Sequence, residues 1–220
     1  MSTTDRRGLF VTFEGLDGSG KTTQMRLLAE ALRAEGREVI ETAEPGGTAI
    51  GTAIRRILLD PASHHLAPEA ELLLYFAARA QNVHEILEPA LKRGAVVLSD
   101  RWTDSTTAYQ GFGRELGREV VAALDRIACR GHHPDLTICL DLDPETGLQR
   151  ARSRNRGQAA QDQNRMDEQS DAFYRRVRGG YAWLAAAEPQ RFRLIDGRGS
   201  EAEVAARVRA GLEPFLHPHV

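Results

Sequence analysis

Apolar positions recur along the chain with two different periods. Five short runs rich in β-branched and aromatic residues, Leu9–Glu14, Val39–Thr42, Ala95–Ser99, Leu136–Asp141 and Phe192–Asp196, are four to six residues long and read as strands. Longer stretches between them carry apolar residues three or four apart. They predict helices over about Lys21–Ala34, Gly51–Leu59, Glu69–Lys92, Glu119–Arg130, Pro144–Arg154 and Asp167–Ala187. Gly36 stops the first helix. Asp143-Pro144-Glu145 opens another, with an Asp cap, proline in the first turn and an acid at the positive dipole end. Ser200-x-x-Glu203 is a capping box for a last helix reaching about Leu212.

Strands that alternate with helices and are apolar on both faces imply an α/β fold, with a five-stranded parallel sheet covered on both sides. Ligands of such sheets bind beyond the carboxyl ends of the strands. There the chain places Gly15 to Thr22, Glu44 to Thr48, Asp100-Arg101 and Asp196-Gly197. The 220 residues suit one domain spanning 1–220, and 41% apolar with 27% charged residues argues against wholesale disorder. No uninterrupted apolar run passes seven residues, too short for a bilayer span, and no signal peptide is readable before Glu14. Cys129 and Cys139 make no disulfide framework, so the expected location is cytoplasmic with no membrane partner. A net charge of −2 disfavours a basic nucleic-acid-binding domain.

The first strand runs into Gly15-Leu16-Asp17-Gly18-Ser19-Gly20-Lys21-Thr22, followed by Thr23, which matches G-x-x-x-x-G-K-[ST] between a strand and a helix. Glycines let backbone N–H groups curl round phosphate oxygens, and the helix N-terminus adds partial positive charge. Lys21 would reach the β- and γ-phosphates of a nucleoside triphosphate and Thr22 would hold Mg²⁺, in a loop shared by GTPases, motor ATPases and small-molecule kinases. Of 29 basic residues only Lys21 and Lys92 are lysine, so a chain that otherwise uses arginine keeps lysine here. No N-K-x-D segment for reading guanine is present.

Further along, Glu44-Pro45-Gly46-Gly47-Thr48, Tyr75-Phe-Ala-Ala-Arg79-Ala-Gln81, Asp100-Arg101 through Ala108-Tyr109-Gln110, and Asn164-Arg165-Met166-Asp167 occur in that order. Together with the phosphate loop they resemble thymidylate kinase, from about Phe10 to Tyr181. The resemblance implies a P-loop NTPase fold and a nucleoside monophosphate kinase that converts dTMP and ATP to dTDP and ADP with Mg²⁺, for dTTP synthesis. It implies that Tyr75, where Phe is usual, stacks on the base and that Arg79 bonds thymine O4. Arg101 clamps the dTMP phosphate, with Arg55 a second candidate. Thr106 and Gln110 reach the N3 edge, and Tyr109 packs on C2′ and leaves no room for a ribose hydroxyl. Glu44 and Pro45 border the same pocket. Asp17 matches an acid that touches the acceptor 3′-hydroxyl or organises Mg²⁺. Tyr75 and Arg79, four residues apart, share a helix face, whereas Leu72 and Phe76 read as core stripe.

Some members carry an arginine directly after that acid, but here the position is Gly18. The polar stretch Arg150 to Arg165 falls at the lid, about 150–166, and the resemblance passes the catalytic role to Arg154 or Arg156. Asn164 and Asp167 stand where Asp and Glu are usual, and Ala43 replaces an Arg before Glu44. The family also implies a homodimer packed through helices on one side of the sheet. Three other readings compete: a kinase for another monophosphate, a silent nucleotide-binding module, and an ATPase that binds nucleic acid through the arginine-rich stretch.

Overall fold

The structure, a computed structural model, describes residues 7–143, 145–147 and 169–216. Five strands are present: β1 (Phe10–Gly15), β2 (Val39–Ala43), β3 (Val96–Asp100), β4 (Leu136–Asp141) and β5 (Phe192–Asp196). They form one parallel sheet in the order β2-β3-β1-β4-β5. β1 is therefore central, and the chain leaves its carboxyl end between β3 and β4. Around the sheet lie α1 (Lys21–Ala34), α2 (Ala49–Leu59), α3 (Pro68–Asn82), α4 (Glu88–Lys92), α5 (Thr103–Thr106), α6 (Arg118–Ala128), α7 (Asp171–Ala187) and α8 (Glu201–Leu216). α3 and α4 are joined without a break by wide π-helical turns over Val83–Leu87, as one pattern from Glu69 to Lys92 predicts. α8 runs past the expected Leu212 because Leu216 is buried in the core and Phe215 packs against it, and Pro214 is tolerated near the helix end.

Periodicity does not predict the helical segment after β3, α5 continuing through π-helical turns over Thr107–Gly113. Its residues are mostly Thr, Ser, Asp and Gly, weak helix formers without an apolar stripe. Tertiary packing makes it helical instead. α7 crosses it closely at Gly180, where a Cβ would stand 2.9 Å from the Ala108 Cα.

β1 shows why the sheet has two unlike sides. Val11 and Phe13 face Met25, Leu28 and Leu32 of α1 and Val204, Val208 and Leu212 of α8, in an apolar core. On the other side Phe10 meets the edge of Trp102 at 5.0 Å. Thr12 and Glu14 follow it there, both fully buried. Thr12 pairs with Thr137 at 3.0 Å, and Thr137 donates 2.7 Å to Asp104. The Asp104 carboxylate lies in the fork of Arg191 at 2.7 and 2.8 Å. A satisfied polar layer thus lies under α5, between the sheet and the crevice above it.

Candidate active site

β1 ends at Gly15, whose φ of 126° and close approach admit no side chain: a Cβ would lie 2.5 Å from the Leu140 carbonyl oxygen. The chain then curls through Leu16, Asp17, Gly18, Ser19 and Gly20 into α1. Lys21 folds back across the loop and donates to the Gly15 and Leu16 carbonyls at 3.2 and 2.9 Å. Burial lowers the Lys21 pKa, as does the Arg101 charge, while Asp17, Asp100 and Glu14 oppose the shift. Ser19 keeps a buried hydroxyl without a hydrogen-bond partner among the described residues. Leu16 itself packs in the core beside Tyr109, so only its backbone is open to a phosphate. Thr23 lies in the first turn of α1.

Thr22 Oγ1 donates 2.8 Å to Asp100 Oδ2 at the end of β3. A hydroxyl and a carboxylate side by side fit Mg²⁺, which takes one or two protein oxygens and fills its remaining positions with water and substrate phosphates. Sequence reasoning gave Asp100 no role. Its signal was its place, ending a strand hydrogen-bonded to β1. Asp17, expected at the metal or the acceptor hydroxyl, lines the neighbouring cleft and accepts from Arg101.

That cleft, about 530 Å³, opens beside the loop. Its walls bring together Asp17 and all nine residues expected around the acceptor: Glu44, Pro45, Arg55, Tyr75, Arg79, Arg101, Thr106, Tyr109 and Gln110. Leu59 and Ser105 also line it and were not anticipated. Arg79 is 1% exposed, with Nε 3.3 Å from Glu44 Oε2 and the guanidinium 5.0 Å from the Phe76 ring and 5.3 Å from Trp102. Burial pushes the Glu44 pKa up to about 8, against the opposing pull of Arg79 and Asn82. Phe76 is core, as its spacing indicates, and additionally floors Arg79. Arg55 sits at the rim and donates 2.8 Å to the Pro45 carbonyl.

Arg101 is the most connected cation of the cleft. Its left-handed backbone, φ 72°, turns the side chain back over the strand ends. Nη2 donates to Asp17 at 2.7 Å, and Nη1 to Ser105 at 2.9 Å and the Gly15 carbonyl at 3.2 Å. The guanidinium stacks 5.0 Å over Tyr109. Burial works against this charge, but Tyr109, Asp17, Tyr181 and Asp100 hold Arg101 well above the ordinary arginine range.

Beneath Arg101 lies Glu14, which sequence reasoning used only to close an apolar stretch. Glu14 accepts from the Trp102 N–H at 2.7 Å, from Tyr181 Oη at 3.0 Å and from Ser105 Oγ. Burial and the Asp104 charge push its pKa up to about 7. The available signal was an acid near the end of a fully buried strand.

A second depression, about 590 Å³, lies at the carboxyl ends of β4 and β5 among Asp141, Asp143, Arg178, Asp196 and Arg198. Gly197 beside it approaches the loop, its Cβ position lying 3.6 Å from the Ser19 carbonyl oxygen. Arg154, Arg156 and the rest of the expected lid lie outside the described residues, as do Asn164 and Asp167.

A family model described as Thymidylate kinase matches residues 13–208. A thymidylate kinase of Pelobacter propionicus is 49% identical over 203 residues, covering 92% of this chain and 93% of that one. One of Geobacter sulfurreducens is 50% identical over 200 residues, covering 90% and 94%. The crystal structure of thymidylate kinase from Ehrlichia chaffeensis superposes with a TM-score of 0.76 at 31% identity, covering 94% of this chain and 99% of that one.

Proposed function

The chain belongs to the thymidylate kinase family, and on that premise we propose that the 530 Å³ cleft holds dTMP while the glycine-rich loop beside it holds ATP. As a member of that family it transfers the γ-phosphoryl group of ATP to dTMP, giving dTDP and ADP. One observation carries the site assignment. The Tyr75 ring, the buried Arg79 donor, the Gln110 amide and the Arg101 fork line one cavity together with Asp17 of the phosphate loop.

In this reading Arg101 receives the acceptor phosphate, because a planar fork suits bidentate phosphate binding, and Arg55 approaches it from the rim. Tyr75 covers the base and Arg79 donates to O4. Tyr109, pinned edge-on against Phe173 at 6.1 Å and Tyr181 at 6.5 Å, limits the space beside C2′. The loop N–H groups and Lys21 hold the β- and γ-phosphates in line with the acceptor. Thr22 and Asp100 would hold Mg²⁺, which neutralises phosphate charge when bound. The depression at β4 and β5 borders the loop and would take the adenosine end. Two free, buried cysteines suit a reducing, cytoplasmic setting. Among the described residues no helix is long and apolar enough to cross a membrane.

Tyr75→Ala and Arg79→Ala are each expected to raise the KM for dTMP by about 10-fold or more and the KM for ATP by under about 3-fold. Steady-state kinetics with each substrate varied in turn reads this. Equal rises in both constants would move the base out of this cleft.

The reading includes a homodimer. α2 packs on α3 and α3 on α6, and this flank exposes Ile50 and Ile57, Leu73, and Val120 and Ile127. Sedimentation equilibrium is expected to return twice the chain mass at micromolar concentration, and a monomer mass there would refute the pairing.

A further inference from the structure

Gln110 lines the acceptor cleft, and its orientation is decided by a residue outside the cleft wall. Gln110 Nε2 donates 2.8 Å to Oε1 of Glu71, a carboxylate with no exposed surface on α3. Glu71 is held in turn by Arg114, whose Nη2 lies 3.2 Å from Oε2 and whose Nε lies 3.3 Å from Oε1. Arg114 is itself fixed, stacked 5.0 Å over the Phe173 ring and donating 2.7 Å to Gln169. An ionised carboxylate only accepts hydrogen bonds. With one N–H of Gln110 Nε2 bonded to Glu71, the amide is held in one of its two orientations, and its oxygen, on the opposite branch, is the acceptor turned away from Glu71. Turning the amide over would set two acceptors against each other where water does not reach, at the desolvation cost of both.

We propose that Glu71 is a specificity-positioning residue: by holding the NH₂ of Gln110 it presents the Gln110 oxygen as a fixed acceptor to the base. Bases with a proton on N3, thymine and uracil, satisfy that oxygen. A cytosine ring, whose N3 is a bare acceptor, meets it lone pair to lone pair. Arg79 supplies the complementary donor at the neighbouring base position, so the two side chains form an acceptor–donor pair matched to the N3–H and O4 edge. The inference rests on the reading of this cleft as the dTMP site.

The test compares kcat/KM for dTMP and for 3-deaza-dTMP, in which N3–H becomes C–H, using the full chain. Wild type is expected to prefer dTMP by about 10-fold, the value of one buried hydrogen bond. Glu71→Gln is nearly isosteric and offers Gln110 both a donor and an acceptor. The Gln110 amide then turns either way, and the preference falls below about 3-fold. Gln110→Ala also abolishes the preference, and in that background Glu71→Gln changes it no further. A purely structural role for Glu71 would lower both substrates alike and leave the ratio intact.

Should Glu71→Gln keep the preference while Gln110→Ala loses it, the proposal is overturned and the dTMP reading stands. Retention of the preference in Gln110→Ala overturns the proposal and passes the N3 contact to Thr106, which lines the same cleft. A wild type that shows no preference and no dTMP-specific turnover would overturn the dTMP reading itself. Nitrogen-15 spectra of the wild-type enzyme give a readout independent of any variant's folding. The Gln110 side-chain amide protons are expected to exchange slowly with solvent, with and without dTMP. Exchange that speeds up on dTMP binding, as the NH₂ leaves Glu71, would refute the arrangement.

Discussion

Arg101→Ala is expected to lower kcat/KM for dTMP by about 10²–10³-fold, with most of the loss in dTMP affinity and little change in the KM for ATP. Two losses combine. The acceptor phosphate loses a two-pronged, charge-assisted contact, and Asp17 loses the cation at 2.7 Å that balances it inside the cleft. With the two side chains 17% and 23% exposed, solvent screens part of the penalty, which places the estimate below the full cost of breaking a buried pair. Alanine adds no large backbone cost, because the left-handed conformation at φ 72° already strains any residue with a Cβ. Arg101→Lys separates charge from shape: it keeps the charge, loses the fork, and is expected to recover all but about 10-fold. Kinetics of both variants, with melting temperatures as a control, checks this. Equal activity for alanine and wild type would remove Arg101 from phosphate binding.

Arg154→Ala combined with Arg156→Ala is expected to lower kcat by at least about 10²-fold while changing dTMP affinity little. Gly18 occupies the loop position where some relatives carry an arginine, so among the loop side chains Lys21 is the sole cation. Charge spread over the phosphoryl oxygens in the transition state needs further donors, and an arginine supplied from outside the loop is worth about 10³–10⁵ in other P-loop enzymes. Both arginines lie outside the described residues, and the expectation comes from their place after β4 and from the family pattern. Single-turnover measurement separates the chemical step from product release. Normal phosphoryl transfer in the double variant would send the search to Arg165 and Arg101.

Sheet strands and most helices were legible because their apolar periods are strong and some of their ends carry Gly36 or the Ser200–Glu203 box. Two starts were misplaced: the helices expected from Gly51 and Asp167 begin at Ala49 and Asp171. Thr48 and Ser170 each cap a helix through their hydroxyls. The helix from Thr103 to Gly113 was not legible, since its stability comes from α7 lying against Ala108 and not from its own residues. The cleft was legible as a set of residues. The links that aim them were not: Arg79 on Glu44, Arg101 over Glu14 through Ser105, Gln110 on Glu71 and Thr22 on Asp100. Each joins residues 35 or more positions apart, and a single sequence carries no periodicity at that range. An acid directly beside an apolar run, Glu14 after Phe13 and Glu71 before Leu72, was the readable trace of such links.

A coupled assay of ADP release with dTMP, dUMP, dCMP, dAMP, AMP and ribo-TMP at saturating ATP tests the central claim, that this one cleft reads thymine, deoxyribose and phosphate together. dTMP is expected to give the highest kcat/KM. dCMP, dAMP and AMP should lie at least about 10²-fold lower, because they oppose the Arg79 and Gln110 pair, and ribo-TMP about 10–200-fold lower, because it crowds Tyr109. Turnover of dCMP or AMP equal to that of dTMP would contradict the account.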